Sequence, residues 1–257
     1  ESLLEELVLA RLAESPPDGN LQNYLQTTKN ARAVPLLIEH LKAVKKDQSK
    51  RRSLIQLLGT IGDDRVADLF LEIYPDLPEY EQSKVLNSLG QMQVPEFLEL
   101  AQQALKTKHS SLVYAAINNL TMTDSGRAEE ILISGFEELE HKSYFDNLAN
   151  AISQIGSERA EVVLRSARKS EIPEKRRAAI NAYRYLLQRK PSYQYIHQAN
   201  YQLRNKNWEE ALNYVQMAVE IDEKFAPAHA ALGSILLRMD KVDRAEKAFA
   251  RALSLDP

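Results

Sequence analysis

Apolar positions between residues 30 and 190 repeat along the chain. Five equivalent positions, spaced by 31, 31, 32 and 31 residues, are Leu58, Leu89, Leu120, Ile152 and Tyr183. Apolar or small residues stand four and three residues before each of them, and mostly apolar residues stand three after. Because these offsets fall on one face of a 3.6-residue helix, each segment is predicted to be a helix buried on that face. A turn and a second helix follow in most copies, so the pattern predicts stacked helix pairs.

From residue 192 onward, the repeat period changes to 34. Three small residues of one copy return 34 positions later as small residues of the next: Ala199, Ala211 and Ala218 become Gly233, Ala245 and Ala252. Small side chains at these positions let two antiparallel helices approach closely. The pattern predicts four helices, at about 192–204, 208–221, 226–238 and 242–254.

The first 29 residues do not follow either period. The stretch "ESLLEELVLARLAE" is predicted to be a short apolar helix, and "SPPDGN" after it is predicted to be a loop because two prolines and a glycine interrupt the helix. One interpretation is a cap over the exposed end of the first repeat. The other is the tail of a helix that arrives from a preceding domain or membrane anchor.

Two repeat families resemble these patterns. The segments "NWEEALNYVQMAVEIDEKF" and "LGSILLRMDKVDRAEKAFARALSLDP" resemble the tetratricopeptide repeat (TPR), whose period is 34. The segments "SLIQLLGTIGDDRVADLF" and "NLANAISQIGSERAEVVL" resemble short bacterial HEAT repeats of the phycobilisome-lyase type, with a small residue after the leucine and an "RA" start to the second helix.

The resemblances imply an all-α fold, a right-handed α-solenoid in which HEAT-like helix pairs continue into TPR helix pairs. The expected domains are an N-terminal cap over residues 1–29, a HEAT-like domain over 30–190 and two TPR units over 191–257. Because TPR arrays normally continue or gain a capping helix, the array is expected to be truncated or covered by a partner.

Composition narrows the possible functions. Hydrophobic residues make up 44% of the chain and glycines number 8, which favours helices over a β-sandwich or barrel. The net charge of −3 is evenly spread, so we expect no nucleic-acid partner; the basic clusters at 50–52 and 175–177 are interpreted as solvated faces. The absence of cysteine excludes disulfides and thiolate chemistry.

No apolar run is long enough to span a membrane, so no membrane insertion is expected within these residues. We expect a cytoplasmic protein, with an anchor outside this sequence or a periplasmic location as the alternatives.

Signals for catalysis and metal binding are weak. None of the five histidines has a metal-site spacing. HEAT-type di-iron hydroxylases use His-Glu pairs, and here the order is reversed in Glu39-His40 and Glu140-His141. We find neither a glycine-rich phosphate loop nor a nucleophile elbow. The sequence therefore predicts no catalytic residue, no metal, no cofactor and no enzymatic activity.

One polar pattern exceeds what packing requires. Two residues before each repeating core position stands an amide: Gln56, Asn87, Asn118, Asn150 and Asn181. We call this set the amide column. At 100° per residue it lies roughly opposite the core face, so it is expected to face solvent and to form a ladder along the stacked helices. Armadillo repeats use asparagines in this way, and the resemblance implies a groove for an extended peptide. The alternatives are an inert polar column or amides that bond between repeats.

The TPR resemblance implies a second groove, lined by the first helix of each repeat. Candidate partner-binding residues there are Asn200, Arg204, Ser234 and Arg238. Arg204 and Arg238 occupy the same repeat position and are candidates for a basic pair that binds an acidic ligand; the alternative is solvated surface. A carboxylate clamp for chaperone tails is disfavoured because Ile196 and Ser234 replace its expected residues. Trp208 is expected to be mainly structural.

The function that these features predict is a protein–protein scaffold or adaptor without catalytic activity, which binds a protein or peptide partner on its repeat surfaces. Two alternatives come from other classes. The first is the soluble scaffold part of a membrane-bound assembly for exopolysaccharide synthesis or export, or for pilus biogenesis. The second is a HEAT-type bilin lyase subunit or another enzyme partner.

Overall fold

The computed structural model describes residues 3–44, 47–138 and 142–256, which form sixteen α-helices, three 3₁₀ turns and no strand. The all-α prediction is confirmed. The helices are α1 Leu3–Glu14, α2 Gly19–Thr28, α3 Val34–Ala43, α4 Gln48–Ile61, α5 Arg65–Ile73, α6 Glu79–Gln91, α7 Phe97–Leu105, α8 Ser110–Met122, α9 Gly126–Glu138, α10 Phe145–Ile155, α11 Glu158–Ala167, α12 Pro173–Gln188, α13 Pro191–Arg204, α14 Trp208–Ile221, α15 Ala226–Arg238 and α16 Val242–Leu255. The 3₁₀ turns are Ala31–Ala33, Tyr74–Asp76 and Lys142–Tyr144.

The helices group into two compact units, Glu1–Ala178 and Ala179–Pro257, which we call the first and second unit. Their border falls inside α12, whereas the predicted border after residue 190 lies between α12 and α13. The division into a cap, a HEAT-like domain and a TPR domain stays a prediction.

In the first unit, every second helix packs against the next of its kind: α4 against α6, α6 against α8, and α8 against α10. We call these four the leading helices. The four core positions that they carry, Leu58, Leu89, Leu120 and Ile152, are completely buried. The helices between them, such as α7 and α9, pack both on a leading helix and on each other. The apolar pattern therefore predicts the core of this unit correctly.

Turn chemistry sets several helix ends in the first unit. Gly62 follows α4 at φ 70° and Gly156 follows α10 at φ 71°, a left-handed conformation that suits glycine. The N–H of Gly62 donates to the Leu58 carbonyl at 3.1 Å, and so satisfies an acceptor that the helix leaves open. At the start of α11, Ser157 accepts a hydrogen bond from the Ala160 N–H.

The N-terminal helix α1 packs against α3. The His40 ring lies with Nε2 2.7 Å from the Leu12 carbonyl oxygen, and Arg32 donates to Glu6 at 3.0 Å. Leu12 is buried, but Leu3 and other residues on the opposite side of α1 are exposed. None of the described helices is both long enough and apolar enough to cross a membrane.

In the second unit, α13 packs on α14, α14 on α15, and α15 on α16. The bounds of all four helices agree with the predicted ones to within one residue. The six small residues of the 34-residue pattern are all buried. Gly233 shows why size matters there, since a Cβ on it would lie 2.8 Å from ring carbons of Phe249. Trp208 is partly buried at the first residue of α14.

Candidate functional site

The amide column lies mainly on exposed helix surface. Gln56 on α4, Asn118 on α8 and Asn150 on α10 are exposed in the first unit, and Asn181 on α12 is exposed in the second. Asn87 on α6 is half-buried. The expectation that the column faces solvent is confirmed for four positions, and its role in binding stays a prediction.

Asn119, which the repeat pattern does not single out, is buried between two leading helices. Its Nδ2 donates to the Asn87 Oδ1 at 2.8 Å and to the Ala115 carbonyl at 2.9 Å. Gly90 on α6 makes room for it, because a Cβ there would lie 2.6 Å from the Asn119 Cβ and Cγ. The alternative of amides that bond between repeats is therefore realised at the α6–α8 step. The only sequence signal is an Asn-Asn pair whose second member sits next to a core position.

This bond decides what Asn87 offers to a ligand. A side-chain amide has an oxygen that accepts hydrogen bonds and an NH₂ group that donates two. The Asn87 oxygen is engaged by Asn119. Asn87 therefore keeps its NH₂ donors for another partner, whereas its oxygen has only one of its two acceptor positions left.

A buried carboxylate joins α4 to α6. The Glu81 side chain is only 1% exposed, and it accepts from Arg51 Nε at 2.6 Å and from Arg52 Nε at 3.2 Å. A buried charge needs such partners, because water no longer stabilises it. The interpretation of residues 50–52 as a solvated face is wrong for Arg51, whose side chain is 19% exposed and bonded to Glu81.

An aromatic ring lies beside this cluster. Tyr80 on α6 is about half exposed, at 53%, and two cations lie near its ring. The Arg52 Cζ is 5.4 Å and the Lys84 Nζ 5.6 Å from the ring centroid, both within the range of cation–π attraction. Arg52, Tyr80 and Lys84 thus form a basic and aromatic surface that bridges α4 and α6.

The other leading helices differ in charge. Tyr114 on α8 is 41% exposed and meets Tyr144 edge to face, with ring centroids 5.6 Å apart. Asp146 on α10 accepts a hydrogen bond from Arg177 at 3.0 Å, so its charge is neutralised locally. Excess positive charge is therefore a feature of the α4–α6 end of this surface.

In the second basic cluster, residues 175–177, Arg176 and Arg177 are exposed as expected, but Lys175 is partly buried. Lys175 donates from Nζ to the Glu137 carbonyl oxygen at 3.0 Å and lies 5.1 Å from the centre of the Phe136 ring. Burial lowers the pKa of Lys175 below its usual value, and the Glu137 carboxylate partly opposes this.

In the second unit, the four candidates Asn200, Arg204, Ser234 and Arg238 are all exposed. Arg204 ends α13 and Arg238 ends α15, and these two helices pack together. Cations at a helix C-terminus also stabilise the helix itself, which gives both arginines a role without a ligand. The Ser234 hydroxyl donates to the Ala230 carbonyl at 3.0 Å. Partner binding by these residues stays a prediction.

The histidines do not converge. His109 lies 3.1 Å from Glu79, the His229 Nε2 lies 2.8 Å from the Glu223 carbonyl oxygen, and His197 is exposed. His141, like Glu140, lies outside the described residues. Within 3–44, 47–138 and 142–256, no three His, Cys, Asp or Glu side chains are placed to hold a metal ion.

Known proteins were compared with this chain by sequence and by structure. No family model matches the sequence, and no curated protein does. Among solved structures, the chain is similar to human deoxyhypusine hydroxylase in complex with glycerol. The two are 15% identical, the match covers 96% of this chain and 83% of that one, and the TM-score is 0.31. The HEAT-like and TPR assignments therefore stay resemblances.

The structural match corrects one prediction. The sequence predicts a chain without enzymatic activity, and the matched structure is that of an enzyme. The prediction failed because it was drawn from the absence of familiar motifs, which excludes only the chemistries that those motifs serve. We withdraw it, and a match at TM-score 0.31 assigns no activity in its place.

Proposed function

We propose that this protein is a scaffold or adaptor that holds an extended segment of a partner protein across its leading helices. The observation that supports the proposal most strongly is the set of exposed amides at equivalent positions, Gln56, Asn118 and Asn150. Asparagine is a mediocre helix former, and an exposed position gives no packing reason to choose it. Binding would supply such a reason.

The spacing of the column suits a peptide backbone. Packed helices lie roughly 8–10 Å apart, and an extended chain advances about 3.3–3.6 Å per residue. Each step from one leading helix to the next therefore spans about three residues of a bound segment. An amide that both donates and accepts can satisfy peptide N–H and C=O groups without demanding a particular side chain.

The second unit offers another surface for the same role. Arg204 and Arg238 lie at the ends of helices that pack together, and both guanidinium groups are exposed. Guanidinium groups bind carboxylates through paired hydrogen bonds. We propose this surface as a secondary contact for an acidic group of a partner.

The first prediction concerns the amide column. A displayed library of random peptides, each about twelve residues long so that it can cross three steps, is selected on the immobilised protein. The triple variant Gln56→Ala, Asn118→Ala and Asn150→Ala is expected to lose about tenfold in affinity for the selected peptides, since three hydrogen-bonding groups are removed. The circular dichroism spectrum should remain that of the wild type and the melting temperature should not fall, because the three side chains are exposed.

The matched control removes three exposed amides elsewhere, with Asn23→Ala, Gln103→Ala and Gln216→Ala. This variant should retain the selected peptides. Equal affinity of both triple variants for the peptides would show that the column does not bind them, and the proposal would then fail.

A further inference from the structure

We infer that the bound segment is acidic where it crosses α4 and α6, and that Arg52, Lys84 and Asn87 together receive one of its carboxylates. This inference rests on the proposed function, because it specifies the partner that the leading helices hold. It makes the α4–α6 step the position that selects among partners, whereas the rest of the amide column binds backbone.

The two cations share a face with the column. Arg52 precedes Gln56 by four residues and Lys84 precedes Asn87 by three, and residues at these offsets are neighbours on a helix surface. Tyr80 lies under both charged groups, at 5.4 Å from the Arg52 Cζ and 5.6 Å from the Lys84 Nζ. A segment that passes the column at α4 and α6 therefore passes this surface too.

The cluster keeps excess positive charge. Glu81 carries one negative charge, is shared by Arg51 and Arg52, and is too deeply buried to reach solvent. Within the part of the chain that the structure describes, no carboxylate forms an ion pair with Lys84. The surface at Arg52 and Lys84 therefore lacks a full counter-charge of its own.

The groups directed at a ligand are donors. Lys84 has only N–H groups on its side chain, and Asn87 offers the two N–H groups of its amide, while its oxygen already accepts from Asn119. Arg52 also has only N–H groups, some of which are used by Glu81 and Gln48. An acceptor with negative charge satisfies all three, and a carboxylate suits a ligand that is held as an extended peptide.

A nucleic acid would also bring acceptors and negative charge. It would need a basic stripe that continues along its backbone. The next leading helix instead presents Tyr114, and the one after it presents Asp146. Localised positive charge favours one or two acidic side chains over a phosphate chain.

Lys84→Gln tests this inference with little risk to the fold, since the Lys84 side chain is exposed and its Nζ lies 5.6 Å from the centroid of the Tyr80 ring, at the surface. Peptides selected on the wild type are expected to hold more Asp and Glu than the unselected library. Measured by fluorescence anisotropy, their synthetic versions should bind Lys84→Gln about five- to tenfold more weakly, as expected for the loss of a charge-assisted contact. Lys84→Arg should bind nearly as well as wild type, and affinity should fall as salt is raised.

The matched control is Lys106→Gln, which removes the same charge from an exposed position after α7. Equal losses for Lys84→Gln and Lys106→Gln would overturn the inference. Selected peptides without an excess of acid would also overturn it, while the proposed function would survive. If the selection enriches no peptide, the result contradicts both the proposed function and this inference. Displacement of the acidic peptide by a lower concentration of single-stranded oligonucleotide would point to nucleic acid and overturn it as well.

Discussion

The two units join their helices by different chemistry. Between leading helices of the first unit lie polar side chains, above all the buried Glu81 and the buried Asn119. In the second unit the helices meet mainly through apolar residues: alanines, Gly233, which lies against the Phe249 ring, and larger side chains such as Ile196 and Ile235. A polar contact tolerates one register only, because a shifted partner leaves a buried group unsatisfied. Apolar contacts bring two helices equally close together, but they do not require one particular register.

The difference matters for surface chemistry. In the first unit the buried groups reach the surface through their partners: Glu81 holds Arg52, and Asn119 engages the Asn87 oxygen. The exposed ends of the Arg52 and Asn87 side chains are therefore oriented by buried groups. In the second unit, the exposed arginines Arg204 and Arg238 lie at helix ends. The buried alanines of this unit have no polar side-chain group that could orient them. The first unit is thus the better candidate for a preorganised binding surface.

The largest effect is expected at Glu81. Glu81→Ala leaves two guanidinium groups without their shared acceptor and should lower the free energy of unfolding by about 2–3 kcal/mol, the upper part of the range for charged hydrogen bonds. The arginines reach solvent, which keeps the loss below that of a fully buried pair. Urea unfolding followed by circular dichroism measures it.

The control is Glu130→Ala, which removes an exposed carboxylate paired with Arg127 and should cost less than about 1 kcal/mol. If the two substitutions cost the same, the contrast between buried polar contacts and surface ion pairs in the first unit disappears.

Both units should resist a methyl group at their close contacts. Gly90→Ala would crowd Asn119, and Gly233→Ala would crowd the Phe249 ring. Each is expected to destabilise its unit by about 1–3 kcal/mol through overpacking, less the gain from a better helix former. Thermal unfolding compares them with Gly126→Ala, where a Cβ would meet nothing within 4 Å.

The double variant Gly90→Ala with Asn119→Ala tests whether the loss from Gly90→Ala comes from crowding of the Asn119 side chain. It should recover part of the loss from Gly90→Ala, because the crowded side chain is gone. If Gly126→Ala is as harmful as the other two single variants, the close approach of the helices is not what requires glycine.

The smallest effect compares two adjacent asparagines. Asn119→Ala removes a buried side chain that donates two hydrogen bonds and should cost about 1 kcal/mol. Asn118→Ala changes an exposed residue and should be neutral or stabilise by up to about 0.5 kcal/mol, since alanine is the better helix former. Equal melting temperatures for the two variants would contradict the assignment of one residue to packing and its neighbour to the surface.

The periods in the sequence predicted the helices because burial follows a helical face. They placed the core at Leu58 and its equivalents, and they placed the ends of α13 to α16 to within one residue. The same geometry predicted that Asn118 and its equivalents face solvent. The buried face, the solvent-facing positions and the ends of a helix depend on the residues of that helix alone, so its sequence is enough to predict them.

Contacts between helices escaped prediction. Glu81 reads as a common acidic residue in the first turn of a helix, and only α4 beside it reveals a buried carboxylate. Asn119 reads as a member of a polar pair, and only Gly90 on α6 explains how it fits. The cation–π surface at Tyr80 combines residues from two helices. The spacing of four residues could indicate the contact of Lys84 with Tyr80, but no spacing within α6 places Arg52 of α4 beside the same ring.

The pairing of Gly90 with Asn119 constrains how such an array could have grown. Gly59 on α4 meets the side chain of Ser88 on α6 in the equivalent way, one repeat earlier. The two residues of each pair belong to successive repeats. If a gene duplication adds a repeat, each of these residues therefore faces a new neighbouring repeat. At the next border, between α8 and α10, the equivalent positions hold Thr121 and Ala151, so the small residue there stands on the other side of the border. Insertions and deletions of whole repeats would therefore be tolerated where these borders match, and single substitutions at them would have to change in pairs.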